Sequence, residues 1–303
     1  MIKVGAVQLD ISHPITFAKV MKDIGRGSYT SVFNNGFRTD EYVSKFMTEN
    51  NVAVRYNNLE EMADNVDIAF IHSCNWDKHL DMAMPFIKKG KPVFIDKPIV
   101  GSLKHCLEIE KLASKGAKIL GSSSFRYCDE FAGFLSKPVD ERGEIVSLFG
   151  STGVDEFNYG IHAIEAIGAF LPSGAASVQC LSRGKVEQYK VRYNSGLEVL
   201  YQLGNGVWRP TMLIVTTTKL SVHFEPVTGN LYKSILIRIF DFVENGTSMA
   251  HIDHLTESIK IALAAKASKE HNCAEINLKD LSISDSGYDG NAFEAYYAKL
   301  NTK

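Results

Sequence analysis

The sequence predicts an α/β protein in two parts: a doubly wound parallel sheet, then an α+β domain on an open, mostly antiparallel sheet. Three observations carry this. Short apolar runs alternate with helical patterns as far as about residue 122, the rhythm of a parallel sheet covered on both faces. Beyond Phe125-Arg126-Tyr127 strand-like runs follow one another through close turns such as Asn194-Ser195-Gly196, as antiparallel pairing requires. Within the first stretch, Val93-Phe94-Ile95 runs into Asp96-Lys97-Pro98. Ligands gather at strand ends in open α/β sheets, so Lys97 is the first candidate for chemistry.

The elements follow in order. Ile2 to Val7 is a first strand, and a helical pattern over Ile15–Met21 follows the cap and start signal Ser12-His13-Pro14. Tyr29 to Phe33 is a second strand, closed by Asn34-Asn35-Gly36; Thr39 or Asp40 then caps a second helix. Val52-Ala53-Val54 reads as a third strand, Asn58-Leu59-Glu60-Glu61-Met62 as a short helix, and Asp67 to Ile71 as a fourth strand before His72. Leu80, Ala83 and Ile87 recur at helical spacing up to Gly90. The next strand stops at Lys97, because Pro98 cannot donate to a ladder. A helix from Leu103 to Ser114 and a sixth strand over Ala117–Leu120 complete a dinucleotide-type, Rossmann-like domain over residues 1–122.

Residues 123–303 form the second domain. Strands are expected at Glu144–Gly150, Ala176–Arg183, Val186–Tyr193, Leu197–Leu203, Met212–Thr217 and Leu220–Phe224, and helices at Leu231–Glu244 and Met249–Lys269. A helix at Phe157–Glu165 sets Asn158, His162 and Glu165 on one side and Ile161, Ile164, Gly168 and Leu171 on another. An open sheet with one covered face leaves the other to protect. Pairing two such faces gives a homodimer or homotetramer.

Composition excludes several classes. With 303 residues, 45% hydrophobic, the chain can bury a substantial core. Lys plus Arg number 33 against 35 Asp plus Glu, for a net charge of -2, so neither nucleic acid nor a membrane surface is the expected partner. Small, nearly neutral ligands fit better. No export signal or membrane-length apolar run is visible, and the five scattered cysteines, an odd number (Cys74, Cys106, Cys128, Cys180, Cys273), read as reduced thiols of a cytoplasmic protein without a metal site.

Asn75-x-x-x-His79-x-x-x-Ala83, Gly90-Lys91-Pro92-Val93-Phe94-Ile95-Asp96-Lys97-Pro98 and Phe125-Arg126-Tyr127 together resemble the Gfo/Idh/MocA oxidoreductases. Asp96 stands where that family usually has glutamate. The resemblance implies a two-domain NAD- or NADP-dependent enzyme acting on sugars, polyols or related hydroxy compounds, with Lys97 in its site and the Ser73-Cys74-Asn75-Trp76 loop, with His79, lining the nicotinamide side. The family pattern Asp-x-Gly-x-His-x-x-Asp is matched at Gly160 and His162, with Glu165 conservative and Asn158 replacing the acid. His162 is then the general base, Lys97 holds the substrate oxygen, Asn158 orients, Glu165 is a substrate contact, and Arg126, Tyr127 and Tyr159 are either substrate contacts or packing and interdomain residues.

The cofactor loop departs from the pattern. Dinucleotide sites carry G-x-G-x-x-G after the first strand so that backbone amides can approach the pyrophosphate. Here the positions read Gln8-Leu9-Asp10-Ile11-Ser12-His13. At about 6 Å and an effective dielectric near 20, Asp10 would repel a phosphate by roughly 3 kcal/mol. Ser12, His13 and the helix amides are the alternative phosphate contacts. Asn34 and Asn35 stand where an acid usually binds ribose, with Arg38 near enough for a 2′-phosphate. These changes keep two other classes open: a silent nucleotide- or metabolite-binding relative, and a lyase or hydrolase holding NAD tightly.

Overall fold

The structure is a computed structural model, and it describes residues 1–247 and 249–301. Its first part is β1 (Ile2–Val7), α1 (His13–Ile24), β2 (Gly27–Phe33), α2 (Asp40–Asn50), β3 (Val54–Tyr56), α3 (Leu59–Asn65), β4 (Ile68–Ile71), α4 (His79–Lys88), β5 (Val93–Ile95), α5 (Leu103–Ser114) and β6 (Ile119–Gly121). The strands form one parallel sheet in the order β3-β2-β1-β4-β5-β6. The order reverses between β1 and β4, and the crevice outside their carboxyl ends is the switch point.

Side-chain alternation explains the apolar runs. Val4 and Ala6 of β1, Ile68 and Phe70 of β4 and Phe94 of β5 enter one core layer, while Val7, Ala69, Ile71, Val93 and Ile95 enter the other. Both faces are covered, so strand after strand must be apolar throughout. Thr39, Asn58 and Ser102 cap α2, α3 and α5 by accepting the amides of Tyr42, Glu61 and His105.

Several expected boundaries move, two of them for a visible reason. β3 begins at Val54 because Asn51 is left-handed and the Val52 amide still bonds back to Met47 O, which commits Val52 to the exit of α2. β5 stops at Ile95, two residues before Lys97, because Asp96 Oδ1 accepts the Lys97 amide at 2.8 Å and turns the chain.

The second part is α6 (Asp129–Leu135), α7 (Val139–Arg142), β7 (Ile145–Val154), α8 (Gly160–Gly168), β8 (Ala175–Ser182), β9 (Val186–Tyr193), β10 (Glu198–Asn205), β11 (Met212–Thr217), β12 (Ser221–Phe224), α9 (Thr228–Asn245), α10 (Ile252–Glu270), β13 (Ile276–Asn277) and α11 (Gly290–Asn301). Its sheet runs β12-β11-β7-β10-β9-β8-β13, antiparallel except for β7 beside β10. α8 and α10 cover one face. On the other, Phe149 of β7 lies between Leu200 and Ile214 in register, and Leu200 is 42% exposed.

Two helices of the second part return to the first. α9 packs on α1, with Phe240 in the first core and Arg26 paired to Asp241 at 2.7 Å and Glu244 at 2.6 Å. α11 lies on the loops at the carboxyl end of the first sheet. Among the described residues no helix is long and apolar enough to cross a membrane, and the five cysteines are free thiols.

Candidate active site

The β5 end turns Asp96 inward and Lys97 toward the second domain. Asp96 is buried, and its Oδ2 takes two imidazoles, His13 Nδ1 at 2.7 Å and His72 Nδ1 at 2.9 Å. Burial alone would push this carboxyl up, but the charges and hydrogen bonds of His13 and His72 outweigh it and hold the group well below the usual range. An ionised carboxylate only accepts, so both Nδ1 atoms carry protons. Neutral His72 must then accept at Nε2, and the buried Tyr29 hydroxyl donates to it at 2.8 Å. Burial holds His72 below its ordinary pKa despite Asp96. The result is a buried chain Tyr29–His72–Asp96–His13 whose one outlet is the His13 ring.

That ring faces a cavity of about 260 Å³ between the domains, lined by His13, Asp96, Lys97, Tyr159, His162 and Tyr232 among others. His13 stacks on Phe17 at 5.5 Å, and Tyr232 meets it edge-on at 5.3 Å. Lys97 Nζ donates to both the backbone O and Oδ1 of Asn158 at 2.9 Å and lies 5.2 Å from the Tyr159 ring centre. Burial lowers its pKa, against the pull of Asp96 and Asp155. His162 Nδ1 is 2.7 Å from Ser123 Oγ. Burial first, then the charges of Lys97 and His13, drive the His162 pKa well below its ordinary value, so the ring is neutral.

The expected polar stripe of Asn158, His162 and Glu165 is divided. α8 starts only at Gly160, because Asp155 Oδ1 accepts the Phe157 and Tyr159 amides and holds the preceding segment as a turn. Asn158 therefore reaches Lys97 from a turn. Glu165, one helical turn past His162, is buried and paired with Arg126 Nε and with Ser122 Oγ. Arg126 also donates to Gly168 O at 2.8 Å and Ser258 Oγ at 3.1 Å. Tyr127 is buried in the first core. Of the expected substrate contacts, only Tyr159 lines the cavity.

The β1–α1 loop is closed by its own side chains. Gln8, at φ 67°, accepts the Asn35 and Gly36 amides at 3.0 and 3.1 Å and bonds Asn35 Oδ1. Asn34 Oδ1 accepts the Leu9 amide at 3.1 Å. Asp10 is buried and accepts from Ser73 Oγ at 3.2 Å and the Cys74 amide at 3.1 Å, while its Oδ1 has no hydrogen-bond partner among the described residues. Burial raises its pKa, and Glu294 adds to the rise. Arg38 donates to Leu9 O at 3.2 Å, Asp10 O at 2.7 Å and Asn301 O at 2.7 Å. Asn75 and Trp76 face α11, and His79 is buried between Ser73 O at 2.8 Å and Ile99 O at 3.1 Å.

α11 crosses this loop from the Asn75-Trp76-Asp77-Lys78 side to the Phe37-Arg38 side. The helix thus lies over the carboxyl end of β1, where a Rossmann-type sheet has its ligand crevice. Sequence reasoning missed His72, Tyr29 and Ser123, which only the fold brings together, and it missed α11. A signal for the helix was present: Phe293, Tyr296, Tyr297 and Leu300 recur at spacings of three and four after Asp289-Gly290.

Residues 28–123 match the model of the Gfo/Idh/MocA family, described as an oxidoreductase family with an NAD-binding Rossmann fold. No curated protein matches the sequence. Among solved structures, scyllo-inositol dehydrogenase from Lactobacillus casei with bound NAD(H) and scyllo-inositol is similar with TM-score 0.79 at 14% identity, covering 92% of this chain and 100% of that one. Myo-inositol 2-dehydrogenase from Lactobacillus plantarum has TM-score 0.77 at 16% identity, covering 91% and 99%. A putative NADPH-dependent oxidoreductase from Desulfitobacterium hafniense has TM-score 0.78 at 16% identity, covering 93% and 99%. At these identities the likeness is one of fold.

Proposed function

Starting from residues 28–123 as a Gfo/Idh/MocA oxidoreductase domain of the NAD-binding Rossmann type, we propose that the interdomain cavity binds a small sugar-like or polyol substrate and moves a proton at its hydroxyl or carbonyl oxygen. The observation that carries this is the convergence on one cavity of His13, held by Asp96 at 2.7 Å, with Lys97 and His162. An imidazole oriented by a carboxylate is the base-and-orienter pair of acid–base catalysis. With its Nδ1–H donated to Asp96, His13 has Nε2 left for the proton of the substrate oxygen.

Lys97 has two of its three donors on Asn158, and the third is left for a substrate oxygen. A buried cation there stabilises developing alkoxide. Neutral His162, beside that cation, serves better as a hydrogen-bond partner than as the proton store. The hydride acceptor in this reading is NAD or NADP. Five free thiols agree with a cytoplasmic location, and the Leu200–Phe149–Ile214 strip with a homodimer or homotetramer through the second sheet.

A second reading, a metabolite-binding relative without turnover, is favoured by α11 over the crevice and by Asn158 in place of the family's acid. Calorimetry with scyllo-inositol, myo-inositol and a panel of aldoses, followed by turnover at 340 nm with NAD and NADP, separates the two. Turnover that falls 10²- to 10⁴-fold in a folded His13→Gln protein is the expected result. Binding of a panel member without turnover selects the second reading, and no binding by any member sinks both.

A further inference from the structure

The crevice over β1 already has an occupant. Gly290 N donates to Asp77 Oδ2 at 2.9 Å, and Asn75 Nδ2 donates to Asn291 Oδ1 at 2.9 Å and Glu294 Oε2 at 2.8 Å. Lys78 pairs with Glu294 at 2.6 Å. Trp76, 3% exposed, donates Nε1–H to Tyr288 O at 2.7 Å and meets the Phe293 ring at 4.9 Å. At the far end the Tyr297 ring lies 6.3 Å from Phe37, and Arg38 caps Asn301 O while holding Leu9 O and Asp10 O beneath. Twelve helical residues span about 18 Å. That carries the helix from the loop after β4, across the loop after β1, to the loop after β2, and so over the switch point.

The fit is close and its chemistry suits a peptide rather than a pyrophosphate. A Cβ on Gly290 would fall on Asn75 Oδ1 and within 3.0 Å of the Asp77 amide, so only glycine seats there. The floor and the underside of the helix bring carboxyl groups, Asp10 and Glu294, to the place where a phosphate would need amides. Arg38, the nearby cation, is spent on the carbonyl end of α11, where a positive charge is favourable.

We propose that α11 is the resident ligand of the dinucleotide crevice and that nicotinamide dinucleotide and α11 exclude one another, so that cofactor enters only when the helix lifts. The inference rests on the oxidoreductase reading of the first domain. It makes the C-terminal segment a built-in gate on cofactor binding.

Trp76 reports on the gate. The chain has two tryptophans, and the other, Trp208, is 70% exposed, so Trp208→Phe in the full chain leaves a single probe under α11. In that background Gly290→Val, and separately Phe293→Ala with Tyr297→Ala, should red-shift Trp76 emission and speed amide hydrogen exchange over 290–301. Both should tighten NAD or NADP binding at least tenfold by calorimetry. In the parent chain, NAD should bind weakly and produce the same red shift and faster exchange as it saturates. Dinucleotide that binds the parent with Trp76 and the 290–301 amides unchanged overturns the inference and leaves the oxidoreductase reading intact. So does a variant whose helix is released while its affinity stays within twofold of the parent's. If neither parent nor released variants bind NAD or NADP, the oxidoreductase reading fails and the competition falls with it.

Discussion

His13 donates its Nδ1–H to Asp96 Oδ2 across 2.7 Å, the same carboxylate oxygen that accepts from His72 at 2.9 Å. One buried oxygen therefore ties the first turn of α1 to the ends of β4 and β5. Asp96→Asn removes the charge and sets an NH2 group where Oδ1 now accepts the Lys97 amide. Charge-assisted bonds of this kind contribute about 1.5–3 kcal/mol each, so the variant should lose roughly 3 kcal/mol in urea unfolding. A loss below about 0.5 kcal/mol, the range of an ordinary surface change, would mean that the bonds are not made.

Three buried histidines set the pH dependence. His72, His79 and His162 all have pKa values lowered first by burial; contacts with Asp96 or with backbone carbonyls only partly oppose this for His72 and His79, and Lys97 adds to it for His162. Below the unfolded value near 6.5 the unfolded chain binds protons that the folded chain refuses, so stability falls as pH drops from 7 toward the folded values. Each histidine adds a slope of at most about 1.4 kcal/mol per pH unit. Asp96 acts in the same direction at lower pH: its lowered pKa stabilises the fold above about 3.9, and that stability is lost as pH falls through its folded value. Urea midpoints measured from pH 7.5 to 5 should decline steadily, and a flat profile would contradict neutral burial.

Arg126 and Glu165 hold structure rather than substrate. The pair is buried and shares its polar atoms with Ser122, Gly168 and Ser258. Removing one partner strands a charge, so Arg126→Met or Glu165→Leu alone should cost about 3–5 kcal/mol, while the double variant recovers most of it. Polyol binding in the refolded double variant should equal the parent's. A double variant no more stable than either single, or one that folds and has lost its ligand, would return the pair to the site.

How much of this was legible follows from where each contact originates. α5 was bounded at Leu103 and Ser114 from sequence because its stop signal, Lys115-Gly116, is local. The end of the β5 run was legible only approximately: Pro98 placed it at Lys97, whereas the turn made by Asp96 ends the strand at Ile95. The roles of the β1–α1 loop were not, since Gln8, Asp10 and His13 each answer to a residue far along the chain, Asn35, Cys74 and Asp96. Glu165 was misjudged for a related reason. Helical spacing sets it near His162, but its partner Arg126 lies outside the helix. α11 carried an amphipathic pattern, yet no local feature states that its apolar side closes on Trp76 and Phe37.

Asn158 offers the last test, because the lysine it holds is buried at a cost. Lys97 Nζ has two neutral acceptors, Asn158 O and Oδ1, and burial lowers its pKa. Between that folded value and about 10.4 the unfolded chain binds the proton more firmly, so at neutral pH the charged lysine is a debit against stability. Asn158→Asp would set a carboxylate where Oδ1 now lies, 2.9 Å from Nζ, and restore the acid of the family pattern. An opposite charge at that distance favours the ammonium form. The variant should therefore raise the Lys97 pKa, seen by following the lysine Cε signal with pH, and gain on the order of 1 kcal/mol at pH 7. A pKa that stays put, or a less stable protein, would show that desolvating the new carboxylate outweighs the pairing. In that case asparagine at position 158 is the better partner for a lysine this deeply enclosed.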